Sequence, residues 1–133
     1  MCIRDRNAIA HGSKILSKFN NVSFENRNIF RFKTKKQFNV VWCAGLFDYL
    51  DDKIAIHLLR RFREFVTPDG TIIFGNFNHS NIQRHYMNFG GWELIHRSEE
   101  ELISLVREAG FQNGRVEKEK SKTNSFCVLN SPW

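Results

Sequence analysis

The stretch Phe38-Asn-Val-Val-Trp-Cys-Ala-Gly-Leu-Phe-Asp-Tyr-Leu-Asp-Asp52, read on to Thr67-Pro-Asp-Gly-Thr-Ile-Ile-Phe-Gly75, decides the fold. Phe38–Ala44 is a near-continuous apolar run, the pattern of a strand buried on both faces of a parallel sheet, and Gly45 ends it. Asp51 is placed to cap a helix, and Asp52 favours the positive end of its dipole. Ala55, Leu58, Leu59, Phe62 and Val66 then recur at helical spacing on one face, with Ile54 and Phe65 at its flanks. Pro68 disfavours helical geometry in Thr67, so Thr67–Gly70 is expected as a turn and Thr71–Gly75 as a second buried strand. Strand, helix and strand in this order form a βαβ unit. The two strands are therefore expected to be adjacent, parallel and central.

Working outward, residues 7–19 carry a weaker helical pattern interrupted by Gly12, Val22–Phe24 alternates like a short strand, and Asn28–Phe30 reads as a loop or a short extended piece. On the other side, Asn76–Trp92 is irregular and rich in Asn, His and aromatics, as a long functional loop with one helical turn would be. Ser98-Glu-Glu-Glu101 is a capping box opening a helix with Leu102, Leu105, Val106 and Ala109 as its stripe, and Gly110 stops it. Gly114–Lys120 and Ser125–Leu129 read as an antiparallel hairpin.

With 133 residues, 41% of them hydrophobic and 13 of them Phe, the chain suits one α/β domain and excludes disorder as its main state. No run approaches the ~20 apolar residues of a membrane span, and no signal-peptide pattern is visible. The 3 cysteines match neither a disulfide framework nor a zinc site, so a reducing, cytoplasmic setting is expected, with no metal. The net charge of +6 is uneven: residues 1–37 carry nine Lys/Arg against Asp5 and Glu25, while the remainder is balanced. The basic run Arg31-Phe-Lys-Thr-Lys-Lys36 reads as a solvated loop, with a nucleic-acid-binding module as its competing reading.

The segment 38–52 resembles the "fDlVv.aGLfdYLdd" stretch of class I S-adenosylmethionine-dependent methyltransferases. Thr67–Phe77 is similar to their "l.pGG.lligNf", and Trp92–Leu102 with Ala109-Gly-Phe111 to their "W.LihRt.eEL…aGF". Within the superfamily the combination most resembles a bacterial group associated with hydroxy-fatty-acid methyl ester biosynthesis. The resemblance implies the later half of a doubly wound, mostly parallel Rossmann-like sheet with a C-terminal antiparallel hairpin, truncated at the N-terminus. Residues 7–133 are then the C-terminal part of a methyltransferase domain, and Met1–Arg6 a non-native leader. The family's glycine-rich cofactor loop is absent, since Gly12 stands alone, so the chain by itself is expected to be inactive.

The resemblance also implies site residues. Asn28 and Ile29 would meet the adenine of S-adenosylmethionine, Asn28 standing where the family usually has an acid. Ala44 and Gly45 would let the backbone approach the ribose and methionine portion, while Leu46 and Phe47 would wall the adenine pocket. Tyr49 lies beside the expected methyl-transfer position and divides between packing and substrate contact. Asn76 and His79 leave the second strand end and join Tyr86 and Arg97 as substrate-binding candidates. For His79, His85 and His96 the choice is between proton shuttles and polar loop residues; for Tyr86 and Trp92, between a substrate wall and a lid over the core. Arg97 would pair with an acidic substrate group or with the Glu99–Glu101 run. Cys43 reads as packing, and Asp48 as a turn residue or a functional carboxylate. The implied function is methyl transfer to a small-molecule acceptor. Its rival is a non-catalytic remnant or interaction module.

Overall fold

A computed structural model describes residues 6–131. The leader reading of Met1–Arg6 therefore lies outside the described residues, except that Arg6 is the first residue of a helix. The chain divides into two compact units, 1–33 and 34–133.

In the N-terminal unit, α1 (Arg6–Ile15) buries none of its residues. Val22–Phe24 is not a strand: these residues join no ladder, because the sheet of the second unit takes its four strands from elsewhere. The Phe24 ring packs against Gly12, where a Cβ would lie 3.0 Å from its Cε1. Asn28–Phe30 is not extended either, since Ile29–Arg31 forms a 3-10 turn whose first amide needs are met by the Asn28 side chain.

The second unit is built from β1 (Phe38–Cys43), α2 (Asp52–Phe65), β2 (Val66–Phe77), α3 (Arg84–Phe89), α4 (Glu99–Glu108), β3 (Gly114–Lys118) and β4 (Asn124–Asn130). The strand order is β1-β2-β4-β3, with β1 and β2 parallel and β4 antiparallel to both its neighbours. The crossover between the parallel pair is α2, whose N-terminus is closed by Asp51 Oδ1 accepting from Ile54 N at 2.9 Å. Ser98 and Glu101 form the capping box of α4 as the sequence predicts, and Gly110 ends it at φ +96°.

One face of the sheet carries Ile72, Phe74, Cys127 and Leu129, and all four are buried. Their cover is the apolar stripe of α2, with Ala55, Leu58, Leu59 and Phe62, together with Leu102, Leu105 and Val106 of α4. Alternation along the strands places these side chains together, and burial of this single layer is the main favourable term in folding.

Two expectations are corrected here. The β1 strand is not buried on both faces and is not central: it forms an edge of the sheet, and Trp42 is 61% exposed, although its ring stacks on Phe126 at 5.5 Å. Continuous apolarity marks a strand made for two covered faces, but sheet position depends on long-range pairing that composition does not encode. Thr67–Gly70 is not a turn before the strand; β2 already begins at Val66. Between the pairs Phe38↔Val66 and Val40↔Thr71 the extra residues of β2 bulge out of the ladder. Gly70 is required there because a Cβ would lie 2.9 Å from the Asn39 carbonyl oxygen.

The packing yields a stability prediction. Leu58→Ala, at a fully buried position under the sheet, is expected to cost about 3 kcal/mol. Ile54→Ala, on the exposed flank of the same helix, should cost less than about 1 kcal/mol. Urea denaturation of the two variants checks the contrast.

Candidate functional site

Parallel strands joined by a crossover present their C-terminal ends on the same side, and the chain leaves β1 and β2 there through two irregular segments. Residues 44–51 follow β1 and include a 3-10 turn at Phe47–Tyr49. Residues 78–98 follow β2. What joins the two segments is Arg97, a guanidinium only 3% exposed. Its Nη1 donates to the Phe47 carbonyl at 3.0 Å and to Asn76 Oδ1 at 2.7 Å. Its Nη2 donates to the Leu50 carbonyl at 2.6 Å and to Asp52 Oδ1 at 2.7 Å, and Nε donates to the same Asp52 oxygen at 3.0 Å. A guanidinium has five N–H donors, and all five are used.

Asn76 completes this arrangement. It is fully buried, and its amide nitrogen donates to the carbonyls of Phe77 at 3.0 Å and Ile95 at 2.9 Å. Asp48, also buried, accepts at Oδ1 from Phe77 N at 2.6 Å, while its carbonyl accepts from Ile95 N at 2.8 Å. Burial pushes the Asp48 carboxyl above its ordinary range, against the opposing effects of the Phe77 amide and of nearby His96 and Arg97. His96 is buried too, with Nδ1 3.1 Å from the Leu94 carbonyl and Nε2 3.2 Å from the Asn81 amide nitrogen. The position of Nδ1 lets its proton go to the Leu94 carbonyl.

Above this frame lies an open groove. Trp92 Nε1 donates to the Tyr49 hydroxyl at 2.8 Å. Beside that pair, Ile82, Gln83, Tyr86, Met87 and Gly90 line a cavity of about 640 Å³ together with Trp92. Tyr86 is 81% exposed, so its ring is available to a ligand. Ala44 and Gly45 are also exposed, and Leu46 is half-buried. Gly45 has φ +73°, a conformation that side chains rarely adopt, and a Cβ built there would meet nothing within 4 Å. The Gly45 backbone at the C-terminal end of β1 is thus open on that side.

Several sequence-derived site assignments are corrected by these positions. Phe47 does not wall an open pocket: its ring is fully buried, 4.3 Å from that of Phe74 and edge-on to Phe62. Asn76 and Arg97 do not face a substrate, because burial and mutual hydrogen bonding consume their polar atoms. Nor does Arg97 pair with the Glu99–Glu101 run; Asp52, at the start of α2, is its acidic partner. His79 stands apart from the groove's lining, with Nε2 2.9 Å from Glu101 Oε2, which also accepts from Ser98 N. The Ser98 amide first, and His79 second, hold the Glu101 carboxyl below its ordinary range. Asn28 and Ile29 belong to the N-terminal unit, where Asn28 Oδ1 accepts from Phe30 N at 2.9 Å. The oxygen expected to take an adenine amine thus serves as a cap.

Tyr49, expected at a packing or substrate position, and Tyr86 and Trp92, expected as a substrate wall or a lid, are brought together by the groove lining and the Trp92–Tyr49 hydrogen bond. Ile82 and Met87 were missed, and the signal for them was the apolar spacing Ile82, Tyr86, Met87 inside a segment dominated by polar residues. Burial also pushes the Cys127 thiol up to about 12, so it is inert packing. Among the described residues no cluster of His, Cys, Asp and Glu has the grouping to hold a metal, and no helix is long and apolar enough to cross a membrane.

Comparison with known proteins extends this geometry. The family model described as "Nodulation protein S (NodS)" matches residues 4–119. The Nodulation protein S of Bradyrhizobium diazoefficiens is 30% identical over 91 residues, covering 68% of this chain and 44% of that protein. The chain thus spans less than half the length of that curated relative. Among solved structures, the N-methyltransferase NodS from Bradyrhizobium japonicum WM9 in complex with S-adenosyl-l-homocysteine superposes with a TM-score of 0.68 at 16% identity. That alignment covers 96% of this chain and 63% of that one. The S-adenosylmethionine-dependent methyltransferase SibL in its apo form gives 0.76 at 17% identity, over 96% and 42% of the respective chains. These likenesses show the methyltransferase fold.

Two predictions follow from the Arg97 frame. Arg97→Ala should destabilise the protein by about 3–5 kcal/mol, because it strands buried carbonyls and Asn76. Asp52→Asn should cost less than about 1 kcal/mol, since the Asp52 side chain is mostly exposed to water. Chemical denaturation measures both. For Asp48 the sign is set by its raised folded pKa: the native state holds the proton more tightly than the unfolded chain, so ionisation costs stability as pH rises through that raised value. Asp48→Asn should therefore be at least as stable as wild type at neutral pH, with the difference changing in favour of wild type as pH falls toward 3.8. A difference independent of pH would contradict this.

Proposed function

The chain belongs to the Nodulation protein S (NodS) family, and from that membership we propose that it serves S-adenosylmethionine-dependent methyl transfer to a small-molecule acceptor. The observations that carry the proposal are the open space in front of the Gly45 backbone at the end of β1 and the groove lined by Tyr86 and Trp92, whose Nε1 holds the Tyr49 hydroxyl. In this reading Ala44, Gly45 and Leu46 offer their backbone to the ribose and methionine portion of the cofactor. The cofactor, when bound, supplies an electrophilic methyl group. The work of the chain is to position the acceptor and to exclude water.

The groove's lining suits an amphipathic acceptor of the hydroxy-fatty-acid kind: Ile82, Met87, Tyr86 and Trp92 for its apolar body, Gln83 and the Tyr49 hydroxyl for its polar end. Accepting from Trp92 fixes the Tyr49 oxygen and leaves its proton for the acceptor. A carboxylate acceptor attacks the methyl group without a general base, which fits a groove lined by no titrating base. Coverage of about half the relatives' length supports treating residues 7–133 as the later part of a longer methyltransferase domain. On that account the chain by itself binds cofactor weakly. A reducing, cytoplasmic setting accords with the 3 cysteines of the sequence, whose spacing matches no disulfide framework.

Titrating S-adenosylhomocysteine into the isotope-labelled chain and following amide chemical shifts tests the site. Weak binding should perturb Ala44, Gly45 and Leu46 first, and Gly45→Val should lower affinity at least about tenfold, because its side chain fills the open space in front of the backbone and opposes φ +73°. Shifts confined to other regions, no shifts at millimolar ligand, or an unaffected Gly45→Val variant would overturn the assignment.

A further inference from the structure

The N-terminal unit has a surface that the methyl-transfer reading leaves unused. Among residues 6–33, Arg6, Lys14, Lys18, Arg27, Arg31 and Lys33 are basic and exposed, and Glu25 is the sole acidic side chain. Glu25 is already paired with Arg27 at 2.8 Å. Interleaved with these cations are exposed apolar side chains: Ile15, Phe19, Val22 and Phe24. Ile15 is the last residue of α1, and Phe19, Val22 and Phe24 follow it in the irregular segment beyond the helix, where Phe24 packs over Gly12 and Lys18 Nζ lies 5.2 Å from the centre of the Phe19 ring.

We propose that this unit docks on an anionic lipid bilayer, with Lys14, Lys18, Arg31 and Lys33 meeting the headgroups while Ile15, Phe19 and Val22 enter the acyl boundary. Charge complementarity favours an anionic partner, as the unit carries a strong positive excess and the rest of the chain is balanced. The apolar chemistry then chooses between anionic partners. Single-stranded nucleic acid is gripped by aromatic rings that stack on bases, whereas Ile15 and Val22 have no face to stack and instead gain from burial in hydrocarbon. A short helix and the segment after it, in which exposed basic and exposed apolar side chains are interleaved, carry the groups of an element that lies in the interface without crossing it. The proposal is independent of cofactor binding, since it uses none of the residues at the β1 and β2 strand ends.

Co-sedimentation of the full chain with vesicles tests it. Vesicles of phosphatidylcholine containing one third phosphatidylglycerol should bind the protein, pure phosphatidylcholine vesicles should bind it at least about tenfold more weakly, and raised salt should release it. The pair Lys14→Glu and Lys18→Glu should lower partitioning more than about tenfold. The pair Ile15→Ser and Phe19→Ser should also lower it, at unchanged charge. All four positions are exposed, and circular dichroism checks that each variant keeps its fold. Equal binding to neutral and anionic vesicles, no binding to either, or tighter binding to an oligonucleotide that competes the protein off vesicles would each overturn the proposal.

Discussion

The saturation of one buried guanidinium is the constraint on which the rest of the site depends. Taking Arg97 out of water is costly unless each of its donors finds a partner, and the partners come from four places: the turn after β1, the first residue of α2, the end of β2 and, through Asn76, the backbone at Ile95. Satisfying the charge therefore fixes these segments relative to one another. Asp48 adds a second tie across the same gap by accepting from Phe77 and Ile95. The groove residues Tyr49 and Trp92 stand at the ends of segments held in this way. Their mutual hydrogen bond is a consequence of that frame as much as a contributor to it.

The sheet explains why the frame lies where it does. A parallel pair puts two strand ends side by side, and each must be left by a connection that cannot be a tight hairpin. The first connection is short and turns into α2; the second is long enough to form α3 and the groove before α4 begins. Because β4 enters antiparallel beside β2, its Ser125 reaches the same end, where its hydroxyl oxygen accepts from the Asn78 amide nitrogen at 2.7 Å. Within the second unit α2 and α4 are in contact and pack on the same face of the sheet, and the β1 edge carries exposed Phe38, Val40 and Trp42.

How much of this was legible depends on the range of the interactions involved. Local signals were readable: the Asp51 cap, the Ser98–Glu101 capping box, the stop at Gly110 and the βαβ order are each written within a few residues, and the structure contains them all. The edge position of β1 was not readable, because an apolar strand looks the same wherever its neighbours are. The polar residues of the site divide in the same way. Arg97 and Asn76 carry the residue types of a ligand-binding pair, yet the Arg97 bonds span 21–50 positions of sequence and Asn76 reaches Ile95 across 19, and only those bonds show them to be internal. Phe47 looked like a pocket wall because it follows the glycine; its burial against Phe74 depends on a strand 27 residues later. Tyr49, Tyr86 and Trp92 stand out in the sequence because exposed aromatics in irregular segments are unusual wherever they point.

Native-state hydrogen exchange tests the central claim most directly. If the Arg97 and Asp48 ties hold the site as one unit with the core, the amides of Phe77, Ile95 and Arg97, which donate to Asp48 Oδ1, the Asp48 carbonyl and the Phe77 carbonyl, should exchange with opening free energies equal to those of the β2–β4 ladder. Opening of these three amides at far lower free energy than the ladder would contradict the account. It would show a frame that breathes separately from the sheet.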